Sequence, residues 1–326
     1  MRKRFLSIAM AASFAMLFNA QQIKFEEYDL PNGLHVILHQ DNSAPVVTTS
    51  VMYHVGAKDE AAGRTGFAHF FEHLLFEGTK NIKRGEWFKI VSANGGSNNA
   101  NTDPDRTYYY ETFPSNNEQL GLWMEAERLR HPVINQIGVD TQREVVKEEK
   151  RLRMDNQPYG GLFNAILTTL FKKHPYKGTV IGSMEDLNSA KLEEFNAFFK
   201  KYYIPNNATL VVAGDIKPEQ TKKWINEYFG SIPKGTPVTR NFPKETPITQ
   251  EFEETIYDAN IQIPAYIFAY RTPAEKERDA YILSMLGSYL SKGKSSVLYK
   301  KLVDNEKKAL AVEAFNLGLV DHSIFA

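Results

Sequence analysis

The stretch GFAHFFEHLLFEGT, Gly66 to Thr79, sets two histidines four residues apart with an acid just before the second. If the stretch is helical, His69 and His73 lie one above the other on a single face, where both imidazoles can reach one ion. Imidazole and carboxylate suit zinc, and a catalytic zinc site uses three protein ligands with a fourth position open to water. Glu72, three residues after His69, then borders that open position as a general base. An apolar helix with two histidines packed in its core would read the same way, so the pattern alone leaves both readings open. In either case Phe67, Phe70, Phe71, Leu74 and Leu75 pack the helix.

His35 and His39 show the same spacing in a different setting. They lie in LHVILHQD, directly after the turn Pro31-Asn32-Gly33, which reads as a strand where residues four apart are too widely separated to share an ion. A third ligand for the first pair must come from elsewhere, and QREVVKEEKRLR offers Glu144, Glu148 and Glu149. On a helical wheel Val145, Val146 and Leu152 define the buried stripe, with Glu149 between them and Glu144 and Glu148 turned away. An acid on an apolar face is costly unless a charge meets it, and a metal would supply that charge.

Outward from these motifs the chain reads as a hairpin from Ile23, a further strand to Ala57, the histidine helix, and a helix over Arg84 to Ala93. Next come the Gly/Asn-rich NGGSNNANTDPDRT, a strand TYYYETFP, two helices, and the helix-strand-helix order KLEEFNAFFKKYY, NATLVVAGDI and KPEQTKKWINEYFGSI. Residues 233 to 247, PKGTPVTRNFPKETP, contain four prolines and mark a linker. The expected division is 1–20 as a leader, 21–233 as a complete α+β domain, 234–247 as the linker, and 248–326 as an incomplete second α+β domain. That second unit opens with the strand AYIFAYRTP, followed by the helices ERDAYILSMLGSYLSKG and SSVLYKKLVDNE.

These motifs, from LPNGLHVIL through GFAHFFEHLLFEGT, GGSNNANTDPDRTYYYE and QREVVKEEKRLR to KGKSSVLYKKLV, resemble those of the pitrilysin/insulinase family of zinc peptidases. In these peptidases the HExxH order is reversed to HxxEH. The resemblance implies zinc held by His69, His73 and Glu149, the last 76 residues beyond His73, with Glu72 as catalytic base. It places Gln142 where relatives often carry a supporting acid, and a neutral amide there can still hydrogen-bond to a ligand. GGSNNANT resembles the family's substrate-binding edge strand, with Asn99 and Ala100 as backbone partners for an extended peptide; a polar loop is the alternative. The implied fold is an antiparallel sheet packed by helices, two such domains making a half, and two halves closing a chamber. A second half or partner subunit is therefore expected for full activity. A non-catalytic subunit that binds peptides or a partner is the competing reading.

Composition narrows the remainder. Lys plus Arg and Asp plus Glu both number 39, which leaves no basic footprint for nucleic acid. With no cysteine there is no disulfide framework, thiolate zinc site or cysteine nucleophile. The N-terminus, MRKRFLSIAMAASFAMLFNAQQ, has a basic start, a short apolar run and Ala20, as in a secretory signal peptide. The expectation is an exported protein, periplasmic or extracellular. No later segment approaches the roughly 20 apolar residues a membrane span needs.

Overall fold

A computed structural model describes residues 23–326, so the leader expected over residues 1–20 lies outside the described residues. Alternation decides the central strands. In β3 (Val46–Tyr53) the side chains of Val47, Thr49, Val51 and Tyr53 are buried, and in β5 (Thr107–Pro114) those of Thr107, Tyr109, Glu111 and Phe113. Both strands thus turn one face to the helices, as a period of two requires. With β1 (Glu26–Asp29), β2 (His35–Gln40), β4 (Ser97–Thr102) and β6 (Ala208–Gly214) they form a six-stranded sheet in the order β1-β2-β6-β3-β5-β4.

The expected hairpin is present, since β1 pairs antiparallel with β2. The sheet is otherwise not the plain antiparallel one expected: β6 inserts between β2 and β3 and runs parallel to β2. Parallel neighbours need a long crossover, and here the helical segments between β2 and β6 supply it. The fold is α+β with an antiparallel-dominated sheet. Among the described residues the edge strand β4 pairs only with β5, so the SNNANT part of GGSNNANT forms a strand and not a loop.

The helices that matter for the site are α1 (Phe67–Leu74), α2 (Trp87–Ala93), α3 (Glu118–Arg130), α4 (Gln136–Lys150) and α5 (Leu162–Leu170), followed by α6 (Met184–Ser189), α7 (Leu192–Tyr202) and α8 (Pro218–Phe229). Under the sheet Arg128 of α3 is fully buried. Its Nη2 meets Glu111 Oε1 at 3.0 Å and Glu125 Oε1 at 3.1 Å. Its guanidinium lies 4.0 Å from the Trp87 ring centroid and 4.3 Å from that of Tyr109. Burial, with the Glu125 carboxylate beside it, pushes the Glu111 carboxyl well above the usual carboxylate range. Arg128 Nη1 also donates to the Leu75 carbonyl at 3.1 Å, just past the end of α1.

Beyond α8 the described residues have no helix or strand until β7 (Tyr270–Thr272), so the irregular stretch is longer than the expected 234–247 linker. The strand expected over AYIFAYRTP shrinks to those three residues, because no strand pairs with the residues before them and Tyr266 and Phe268 stand exposed. α9 (Arg278–Ser291) follows as expected, and the helix expected over SSVLYKKLVDNE is present as a π-helix over Tyr299–Asn305. A separate three-stranded sheet has the order β7-β9-β8, with β8 at Asn316–Leu317 and β9 at Ser323–Phe325.

A second small core joins Ile166, Leu167, Leu170, Phe171 and Tyr176 to Leu319 and Ile324, so α5 packs with the C-terminal strands across the sequence boundary. The same seam is pinned by buried Lys58, whose Nζ lies 2.6 Å from Asp105 and 2.8 Å from Asp321. Among the described residues no helix is long and apolar enough to cross a membrane.

Replacing Arg128 with Met should destabilise the fold by about 3–5 kcal/mol, because it leaves two buried carboxyl groups without their cation. Denaturant unfolding monitored by circular dichroism measures this.

Candidate metal centre

Helix α1 is held at both ends before any ligand is considered. At its start Gly66 has φ +90°, and a Cβ there would sit 2.7 Å from the Ile181 carbonyl oxygen, so the close approach to residues 181–182 requires glycine. The Glu60 carboxylate accepts the N–H groups of Gly66 and Ala68, both at 2.8 Å, satisfying donors that a helix start leaves free. At the far end Tyr109 Oη donates to the Phe71 carbonyl at 2.9 Å, and Arg128 takes the carbonyl of Leu75. One face packs aromatic rings against α7: Phe67 stacks on Phe195 at 4.6 Å and Phe71 on Phe198 at 5.3 Å. His69, Glu72 and His73 remain on the side facing α4.

α4 begins at Asn135, whose side chain accepts the Gly138 N–H at 2.9 Å, and it packs on α1 through buried Gly138, Val139 and Val146. The face that meets α1 therefore differs from the predicted stripe: Val146 belongs to it, but Val145 and Leu152 are 44% and 55% exposed. Glu149 lies on the true packing face, one turn beyond Val146. Glu144 and Glu148 are exposed and pair with Lys147 and Arg151.

The crossing of α1 and α4 brings three donors together. His69 Nε2 and His73 Nε2 are 3.3 Å apart, and Glu149 Oε2 lies 3.1 Å from the second and 3.6 Å from the first. Two ligands about 2.05 Å from a tetrahedral zinc are separated by roughly 3.3 Å, so the triangle has the size that the ion requires. Its protonation is also suitable, since metal binding needs neutral imidazole and ionised carboxylate. Burial, assisted by the neighbouring His73, lowers His69 to about 4. The hydrogen bond from His73 holds the Glu149 carboxyl below its usual range. Lone pairs converging this closely repel one another unless a cation or shared proton lies between them. This is the one group of His, Cys, Asp and Glu side chains among the described residues with that arrangement.

Glu72 stands beside the triangle in a cleft of about 370 Å³ lined also by His69, Glu149, Ala100, Thr102 and Phe163. Burial raises its carboxyl above the usual range, and Thr102 Oγ1 donates to its Oε2 at 2.7 Å. Ala100 lies on the edge strand that borders the cleft, and its N–H is bonded to the Asn99 side-chain oxygen at 2.9 Å. Gln142 does not reach the donor triangle. Its amide donates to Glu77 Oε1 at 2.6 Å, because seven residues, about 10 Å along the helix, carry it past the end of α1.

Two neighbours of the site went unread in the sequence. Thr102 shares a strand face with Ala100, which alternation within GGSNNANT would have indicated. Arg153, four residues beyond Glu149, fits the helical ion-pair spacing and meets Glu149 Oε1 at 2.9 Å. His35 and His39, both on β2, turn to different partners: the first bonds Asp29, and the second bonds the Lys24 carbonyl.

Comparison with known proteins identifies relatives of the chain as a whole. Residues 35–183 match the family described as Insulinase (Peptidase family M16), and residues 189–326 match the Peptidase M16 inactive domain. The zinc protease PqqE of Helicobacter pylori is 34% identical over 309 residues, covering 93% of this chain and 69% of that protein. An uncharacterized zinc protease of Mycobacterium leprae is 27% identical, over 88% of this chain and 64% of that protein. A crystal structure of a protease from Helicobacter pylori superposes with a TM-score of 0.82 at 32% identity, over 93% of this chain and 74% of the other. The chain thus spans roughly two thirds of the length of these two relatives.

Substituting Gly66 by Ala should cost about 1–3 kcal/mol through the left-handed backbone and the contact with residue 181. A lowered melting temperature of the metal-free protein would register this.

Proposed function

The chain belongs to the insulinase family of peptidases, family M16, and on that premise we propose that it is a zinc-dependent endopeptidase acting on extended peptides or unfolded polypeptide segments. The observation that carries this reading is the donor triangle, 3.1 to 3.6 Å on a side, with Glu72 beside it in the same cleft. The names of its relatives as zinc proteases support it further.

His69, His73 and Glu149 would hold the metal. Bound there, zinc supplies Lewis acidity that acidifies water and polarises a peptide carbonyl. Glu72 is the base that takes the proton from the attacking water and returns it to the leaving amine. Its buried carboxyl, raised above the usual range, is a stronger base than an exposed one. Thr102 holds Oε2, which leaves Oε1 to receive that proton.

The edge of β4 offers main-chain groups to an added strand, with Asn99 and Ala100 as its partners. The Ala100 N–H becomes available to a peptide once it leaves the Asn99 side chain. Met154, Phe163, Leu167, Val180 and Ile181 form an apolar wall that takes substrate side chains.

A second reading is a non-catalytic subunit that binds peptides or a partner, and the match of residues 189–326 to an inactive domain favours it. The histidines, Glu72 and Glu149 all fall in the other match, over residues 35–183, so the first reading is preferred. We also propose that the protein is exported, periplasmic or extracellular, on the strength of its N-terminal sequence, and that a second half or partner subunit closes a chamber over the cleft.

Glu72→Gln should retain one zinc per chain while hydrolysis of a quenched extended peptide falls by about a hundredfold or more. Zinc retained by a wild-type protein that binds the peptide without cleaving it would favour the non-catalytic subunit.

A further inference from the structure

Glu149 has two carboxylate oxygens, and only Oε2 faces the imidazoles. The other, Oε1, is held by Arg153 Nη1 at 2.9 Å. Arg153 lies in the π-type turn Arg151–Asp155 that continues α4, and its side chain is 76% exposed on the wall of the cleft. An ion pair whose arginine stands this far in solvent contributes little to folding, even with Glu149 itself 16% exposed. It does fix an angle, because the terminal torsion of a glutamate is broad and lets the two oxygens exchange places. Gln142 bonds Glu77 and so does not supply that restraint.

We propose that Arg153 is the positioning residue for the metal ligand Glu149, holding one oxygen so that the other stays in the donor triangle; this rests on the reading of the site as a zinc centre. Two physical effects of Arg153 oppose each other. Its charge repels a dication, so by Coulomb's law alone its removal would tighten zinc binding. Its hydrogen bond orients the ligand, so by positioning its removal would loosen zinc binding. The sign of the change therefore decides between them.

The test measures zinc affinity by competition with a chromophoric chelator for the wild type, Arg153→Met and Arg153→Lys, together with the melting temperature of each metal-free protein. Positioning predicts that Arg153→Met binds zinc about ten- to a hundredfold more weakly, the scale of lost outer-shell support. Arg153→Lys should recover part of that loss, with metal-free melting temperatures unchanged. Equal or tighter binding by Arg153→Met would overturn the inference and leave the peptidase reading intact. A loss of affinity matched by a lowered metal-free melting temperature would also overturn it, as a structural effect. Failure of the wild type to bind zinc would overturn both.

Discussion

The site depends on one helix-helix crossing, the meeting of α1 with α4 that sets Glu149 Oε2 against two imidazole nitrogens. Each donor is ordinary by itself. Two histidines four apart on α1 are common, and an acid one turn past Val146 on α4 would be unremarkable on a free helix. Packed together, they form a triangle of the right size for a tetrahedral cation. The surroundings serve to keep that crossing fixed. Glu60 and Gly66 set the start of α1, and Tyr109 and Arg128 bond carbonyls near its end.

The support for α1 is itself unusual in being charged. Arg128 reaches from α3 through a cage of Trp87, Tyr109 and Phe76 to pair with Glu111 and Glu125, all three charged side chains being fully buried. Replacing such a cluster with hydrophobic groups can make a protein more stable, so its presence is not explained by stability alone. The guanidinium fits this place because its fork spans two carboxyl groups and a carbonyl at once. It ties the strand that carries Tyr109, the helix α3 and the end of the histidine helix into one unit.

Much of this was legible in the sequence, and the misses share a cause. Local patterns identified the hairpin, the histidine helix and the strands around TYYYETFP, because each depends on residues near one another. The parallel placement of β6 beside β2 depends on contacts about 175 residues apart and leaves no local trace. The wheel found Glu149 while misjudging its neighbours: α4 carries apolar residues on two sides, and periodicity cannot say which side meets a partner. Val145 and Leu152 lie on the exposed side. Gln142 was placed beside the metal by resemblance, but along the helix axis it falls past the end of α1 and finds Glu77. In the C-terminal unit an apolar run was read as strand, but apolar residues form a strand only where another strand pairs with them.

The central claim is that two imidazoles and one carboxylate share a single zinc. X-ray absorption at the zinc edge of the zinc-loaded protein measures this directly. The account predicts one zinc per chain with two imidazole nitrogens at about 2.0–2.1 Å and oxygen completing the shell. A shell with fewer than two imidazoles, or a protein that holds no stoichiometric zinc, would contradict it.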